Sequence, residues 1–321
     1  MFLLRNILIQ KVMKVIHNLN HSAVEVLRQT VQRIDGAYAP TTIRAYRADF
    51  AKFIEFCELH QTGALPASPS IIALYVAELS KQYSASFIRR IVVSISSVHR
   101  LNYHADPTKD PEVNLAVRRM HRQIGRHCNQ AHAINKNLLD KMLEATEDNL
   151  RGVRDRALLQ VAYDSLCRRS EITALQFEDL VVTHEHQTQK TSARILLRRS
   201  KTDQEAQGKW LHVRQDTWLA IQEWLNVSKI NSGLLFRGVN RGYKITNALG
   251  VGQIGRIYKR LVRTAGLDEK LAKHISGHSM RVGAAQDLLL SGASLPIIMA
   301  RGRWSKPDTV MRYVEHAALP F

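Results

Sequence analysis

At 321 residues, the chain is long enough for one large domain or two of ordinary size, each with a sizeable core. Its 46 Lys and Arg against 28 Asp and Glu give a formal charge of +18 at pH 7. That excess points to a polyanionic partner, nucleic acid first because neutralising phosphates releases condensed counterions, with a membrane surface or the ribosome as competing readings. Cys57, Cys128 and Cys167 fit neither a disulfide framework nor a zinc site and agree with a reducing compartment, and no apolar run approaches the ~20 residues of a membrane span.

Residues 1–17 form an N-terminal extension. Arg5, Lys11 and Lys14 interrupt the apolar core that a signal peptide requires, and the absence of Ser speaks against an organelle-targeting segment. A short helix, or a true start at Met13, is the simpler expectation. Helical patterns follow over about 22–34, closed by Gly36, and from Thr41 or Thr42, where Ile43, Tyr46, Phe50, Phe53, Ile54 and Cys57 make one apolar stripe. Ser68-Pro69 and Asp110-Pro111 are start signals for two more helices, and 84–101 supplies another between them. Residues 18–126 therefore read as an all-helical domain.

The densest basic stretch runs from Arg118 to His127 and includes Arg119, Arg122 and Arg126. It is either a solvated helix end or a connection lying on a phosphate backbone, and its place before a short linker, 127–131, favours the second. Residues 132–321 form the second block. Asn135 and Asp148 or Asn149 can cap helices, and a third helix is expected over 168–175. The period then changes: 180–183, 193–197 and 209–213 read as a small three-stranded antiparallel sheet, with turns about His186 and Asp203. Helices resume at 217–224, 252–262, 279–290, 295–300 and 307–315. The expected fold is mainly α, with a helical first domain and an α-rich second domain carrying the sheet.

Four clusters in the second block gather cations and one phenol. Arg168 and Glu171 form R-x-x-E, which is either a surface ion pair or part of a site. Arg199 and Lys201 flank Ser200 where a strand enters a hairpin, as solvated turn residues or as phosphate ligands. His278 and Arg281 stand three apart at a helix start, a natural place for phosphate; the bland reading is a chance His and a surface Arg. His274 and His278 have the spacing of metal ligands on one helix face, but no third ligand follows, so no metal is expected. Trp304 and Tyr313 could each be a packing residue. None of these signals is strong alone.

Their order resembles the tyrosine recombinase, or phage integrase, family: Arg, Lys on a β-hairpin, His-x-x-Arg, His or Trp, then Tyr. The stretch from Ser276 to Ala285, and Gly302-Arg303-Trp304 followed by Val310-Met311-Arg312-Tyr313, are most similar to the Cre-like branch. The helical first half resembles that family's core-binding domain. The resemblance implies that Tyr313 attacks a scissile phosphate to give a 3′-phosphotyrosine and a free 5′-hydroxyl, which attacks a partner strand's linkage through a four-way junction. It implies four protomers on two double-stranded DNA sites with inverted repeats, a cytoplasmic, nucleoid-associated setting, and no small-molecule substrate, ATP, metal or other cofactor.

The chemistry explains the residue types. Tyrosine titrates near ~10, so presenting a phenolate at neutral pH costs about 4 kcal/mol. Arg168 and Arg281 are suited to offset that charge, because guanidinium binds phosphate oxygens as a fork. His278 can share the phenol proton, Lys201 can protonate the leaving 5′-oxygen, Trp304 can donate its indole N–H, and Glu171 can orient the cations or His278. Arg89, Arg90 and Arg256 are expected at DNA grooves, because similar family helices lie there. One departure is the tail. Cre-like proteins dock a helix beyond the tyrosine into a neighbour, whereas here only 314–321 follow, and Ala317 to Phe321 would serve at most as a shortened docking peptide. The rivals are a type IB topoisomerase, which rejoins the same strand, and a DNA-binding protein that does not cut.

Overall fold

The computed structural model describes residues 20–126, 130–185, 190–200 and 207–315. Lys201, Cys128, the 1–17 extension, the turns about His186 and Asp203 and the segment from Ala317 to Phe321 lie outside the described residues. The chain divides into two compact units, Met1–Asn129 and Gln130–Phe321.

The first unit is helical: α1 (20–33), α2 (Pro40–Leu59), α3 (Pro69–Ser80), α4 (Ala85–Leu101) and α5 (Pro111–Ile124). Local sequence sets the boundaries. Ser68 and Asp110 accept hydrogen bonds from the N–H groups of Ile71 and Glu112, and a proline fills the first helical position after each. The stripe of α2 buries Phe50, Phe53, Ile54 and Cys57 against Ile71, Ile72 and Tyr75 of α3 and Ile91, Ile95 and Val98 of α4. Two polar side chains sit inside this core with their partners. Asp49 accepts from Arg90 Nη2 at 2.7 Å and Ser94 Oγ at 2.8 Å. His99 Nε2 accepts the Ala67 N–H at 3.0 Å, with Nδ1 at 2.8 Å from the Ile95 carbonyl.

The second unit begins with α6 (Lys136–Glu144) and α7 (Leu150–Ser165), capped by Asn135 and Asn149. A single turn, α8 (Arg169–Ile172), leads to β1 (Leu180–Glu185), β2 (Lys190–Leu197) and β3 (Lys209–Val213). The strands form one antiparallel sheet in the order β1-β2-β3, with Leu180 opposite Ile195 and Ala193 opposite Val213. Ala193, Ile195, Leu197, Leu211 and Val213 face the core, as period-two alternation requires. Then come α9 (Gln215–Ser228), α10 (Val251–Thr264), α11 (Glu269–His274), α12 (Ser279–Leu290), α13 (Leu295–Gly302) and α14 (Pro307–Val314). The central α7 is buried along most of its length and packs on α9 and α12.

Three local expectations are corrected. The helix expected over 168–175 is only α8, because the chain beyond it turns to pair with 233–235: Leu235 N–H donates to the Leu175 carbonyl and Phe177 N–H to that of Gly233. The helix expected over 217–224 extends to Gln215–Ser228. His274 and His278 do not share a helix, since α11 ends at His274 and α12 starts after His278. No described helix is long and apolar enough to cross a membrane.

Candidate active site

A smaller cluster of buried residues holds the last three helices together: Ala284 and Ala285 of α12, Ile298 of α13, Trp304, and Val310 and Val314 of α14, with Leu166 beneath. Ala284 and Ala285 serve this packing, while the neighbouring Gly283 serves the contact with the chain before α6. A Cβ on Gly283 would stand 1.9 Å from the Ile134 carbonyl oxygen, so glycine lets that strand of chain lie directly on the helix. Tyr313 is half-buried on α14, and its carbonyl accepts from Gln286 Nε2 of α12 at 2.9 Å.

Arg281 lies at the centre. It is 2 % exposed, so the surface-arginine reading does not hold. Its guanidinium donates to the carbonyls of Leu166 and Gly302 and lies 4.3 Å from the centre of the Trp304 ring. Leu166 ends α7 in the left-handed conformation, φ +50°, and thereby offers the negative end of that helix to a cation. Trp304 also neighbours Tyr313: their ring centres are 5.5 Å apart and their planes are tilted by 45°. Burial, then the nearby charges of Arg168 and Arg303, lower the Arg281 pKa below the usual guanidinium value. It remains a cation at neutral pH.

Arg168 sits at the N-cap of α8 and Glu171 one turn on. Glu171 accepts from Arg168 Nη1 at 2.7 Å and from the Arg168 backbone N–H at 2.9 Å. The pair is not a solvated surface pair: the side chains are 17 % and 4 % exposed. The second Glu171 oxygen also accepts from Arg303 Nη2 at 3.0 Å. Burial acts to raise the Glu171 pKa, but the Arg303 charge and the Arg168 hydrogen bonds and charge outweigh it, and the carboxyl is held below its ordinary value.

His278 caps α12 with its side chain exposed, one turn before Arg281, and its backbone N–H donates to Ser276 Oγ at 3.1 Å. The structure thus brings Arg168, Glu171, Arg281, Trp304 and Tyr313 into one cluster and sets His278 at the start of the helix that carries Arg281. Arg199 is exposed just beyond β2. Arg118, Arg119 and Arg122 are exposed on α5, Arg126 beyond it, and Arg256 on α10; among the described residues none of them is paired with a carboxylate. Arg89 is exposed on α4, whereas its neighbour Arg90 is held by Asp49 and lies 4.9 Å from the Phe87 ring centre. Sequence reasoning missed Arg303. The only available signal was its position inside the Gly302-Arg303-Trp304 stretch.

The Phage integrase family matches residues 132–319, and the family described as Phage integrase, N-terminal SAM-like domain, matches 32–105. An integrase/recombinase xerD homolog of Selenomonas ruminantium is 29 % identical over 295 residues, covering 88 % of this chain and 84 % of that protein. Recombinase cre of Escherichia phage P1 is 26 % identical over 281 residues, covering 81 % and 80 %. In fold, the chain is similar to a lambda integrase fragment solved as a dimer bound to a core site, with a TM-score of 0.66 at 11 % identity over 94 % of this chain and 97 % of that one. With the family match spanning more than half of its length, the protein belongs to the phage integrase family of tyrosine recombinases.

Proposed function

We propose that the protein is a site-specific DNA recombinase that cuts and rejoins strands through Tyr313. The observation that carries the reading is the run of contacts in which the buried Arg281 guanidinium meets the Trp304 indole and Trp304 meets the tilted Tyr313 ring. This places a fixed cation and an indole beside a half-buried phenol, which suits attack on an anionic phosphodiester.

In this reading the Tyr313 oxygen attacks phosphorus and the P–O5′ bond breaks. The phenol proton passes to solvent or to His278, and Lys201 gives a proton to the departing 5′-oxygen. Arg168 and Arg281 stabilise the charge on the pentavalent phosphate, with Glu171 fixing Arg168. The N-terminus of α12 beside His278 adds partial positive charge. The 3′-phosphotyrosine keeps the bond energy, so a partner strand's 5′-hydroxyl can displace Tyr313 without ATP.

The further assignments belong to the same proposal. They are a core-binding domain over 18–126, a catalytic domain over 132–321, an inverted-repeat duplex site and a tetramer on two sites. Phosphate contacts are assigned to Arg118, Arg119, Arg122, Arg126 and Arg199, and groove contacts to Arg89, Arg90 and Arg256, supported by the exposed positions of these arginines.

The test is selection of bound duplexes from randomised DNA, followed by strand exchange between two copies of the recovered site. Recombinant products support the proposal. Relaxation of supercoiled DNA without a site requirement would favour the topoisomerase reading, and binding without any covalent adduct the non-cutting one.

A further inference from the structure

The residue that follows α13, Arg303, has φ +56° and ψ +48°. This is the left-handed region in which a helix commonly ends on glycine, and a residue with a Cβ is strained there. Its side chain is nonetheless turned inward and is 4 % exposed. Nη1 donates to the Ser165 carbonyl at 2.9 Å and to that of Arg301 at 3.3 Å. Nη2 is shared among the Leu166 carbonyl at 3.2 Å, Cys167 Sγ at 3.5 Å and Glu171 Oε2 at 3.0 Å. Nε is buried without a partner among the described residues. A strained backbone, a buried charge and an unsatisfied N–H are each unfavourable, and such combinations persist where the surrounding structure depends on them.

What depends on Arg303 is the connection between the two arms of the cation cluster. The Leu166 carbonyl that receives Arg303 also receives Arg281. The Glu171 carboxylate that receives Arg303 also receives Arg168. One guanidinium therefore bridges the acceptor of each phosphate-facing arginine. We propose that Arg303 is a positioning residue for strand cleavage, fixing Arg168 through Glu171 and Arg281 through the Leu166 carbonyl without itself touching the phosphate.

The bridge has an electrostatic consequence. Glu171 is faced by Arg168 from α8, Arg303 from beyond α13, Arg281 from α12 and the buried Cys167 thiol. Among the influences that lower its pKa, the Arg303 charge comes first, against burial. Without Arg303, the first of the influences that lower it is lost, Glu171 takes up a proton at higher pH, and Arg168 loses its ionic partner over that range.

The inference rests on the strand-cleaving reading, and its test separates the two. Full-length wild type, Arg303→Gly, Arg303→Gln and Arg303→Lys are given a nicked suicide duplex carrying a site that the wild type selects from randomised DNA. Single-turnover adduct formation is followed from acidic to alkaline pH, beside duplex affinity and unfolding temperature. Arg303→Gly relieves the backbone, and Arg303→Gln keeps a buried stem without charge. Both should bind DNA like the wild type and cleave more slowly. Their acid limb should move to higher pH, so that at a fixed pH on that limb they cleave several-fold more slowly than their plateau rates alone would give. Arg303→Lys, which keeps the charge but not the fork, should restore the limb and only part of the rate. The inference is overturned if Gly and Gln cleave with the wild-type profile, or if rate falls equally at every pH with Lys no better than Gln. It is overturned too if Gly and Gln both fail to fold while Lys cleaves as the wild type, because Arg303 is then scaffold. If the wild type forms no adduct, the strand-cleaving reading fails and takes this inference with it.

Discussion

The Arg281 guanidinium lies 4.3 Å from the centre of the Trp304 ring, and a Cβ on Gly302 would stand 1.9 Å from that ring's Cζ3. Trp304 therefore packs closely on both the Arg281 cation and the bare Gly302 backbone. The indole contacts both Arg281 and Tyr313.

Trp304→Ala should open a cavity in the small cluster under α14 and lower stability by about 3–5 kcal/mol, the range for deleting a buried large aromatic. Trp304→Phe keeps a ring over Arg281 but removes the N–H donor. It should keep most of the stability and lose cleavage rate. Urea unfolding beside single-turnover cleavage separates the two effects; equal loss of both in the Phe variant would contradict a role for the N–H.

Gly302→Ala should act on the same ring. The added methyl meets the Trp304 carbons well inside contact distance, so the ring must shift from its place. Overpacking of this kind costs about 1–3 kcal/mol. Cleavage should fall well beyond what that loss accounts for, while duplex affinity changes little. A Gly302→Ala variant that cleaves normally would show that the placement of the Trp304 ring is not needed.

Glu171→Gln leaves Arg168 and Arg303 without their carboxylate and should cost about 3–5 kcal/mol, as for one partner removed from a buried pair. The folded-state pKa of Glu171 is depressed. Its stabilisation is therefore complete above the unfolded value of about 4.3 and fades as pH falls through the folded value. Urea titrations should show wild type and variant far apart at neutral pH and converging in acid; a constant gap would contradict the linkage.

The first unit should carry its own pH dependence through His99. Burial, against the Ile95 hydrogen bond, lowers its pKa, with smaller opposing contributions from His104 and Asp106. Its Nε2 must stay unprotonated to accept the Ala67 N–H. Below the unfolded value of about 6.5, the unfolded chain takes up a proton that the folded ring refuses, so stability falls with pH. Thermal unfolding between pH 8 and 5 should drop less steeply in His99→Gln than in the wild type.

Elements with a clear period were legible from sequence: the α2 stripe buries as spaced, and the three short apolar runs pair as one sheet. The end of α8 was not, because the residues after it look helical alone and are drawn into pairing by a segment near Gly233. The catalytic candidates could be found by their order along the chain, whereas the burial of Arg281 and of the Arg168–Glu171 pair could not. Arg303 stayed hidden for the same reason. The acceptors that define it, from Ser165 to Glu171, lie more than 130 positions earlier in the sequence, and nothing local marks the arginine that meets them.

The central claim is that Tyr313 makes the covalent bond to DNA. It is tested most directly by mixing wild type and Tyr313→Phe with a nicked suicide duplex of the selected site and analysing the products by denaturing electrophoresis and peptide mass spectrometry. Wild type should give a protein–DNA adduct mapped to Tyr313, and Tyr313→Phe should bind the duplex with nearly unchanged affinity and give none. An adduct that persists in Tyr313→Phe, or that maps to another residue, would contradict the account.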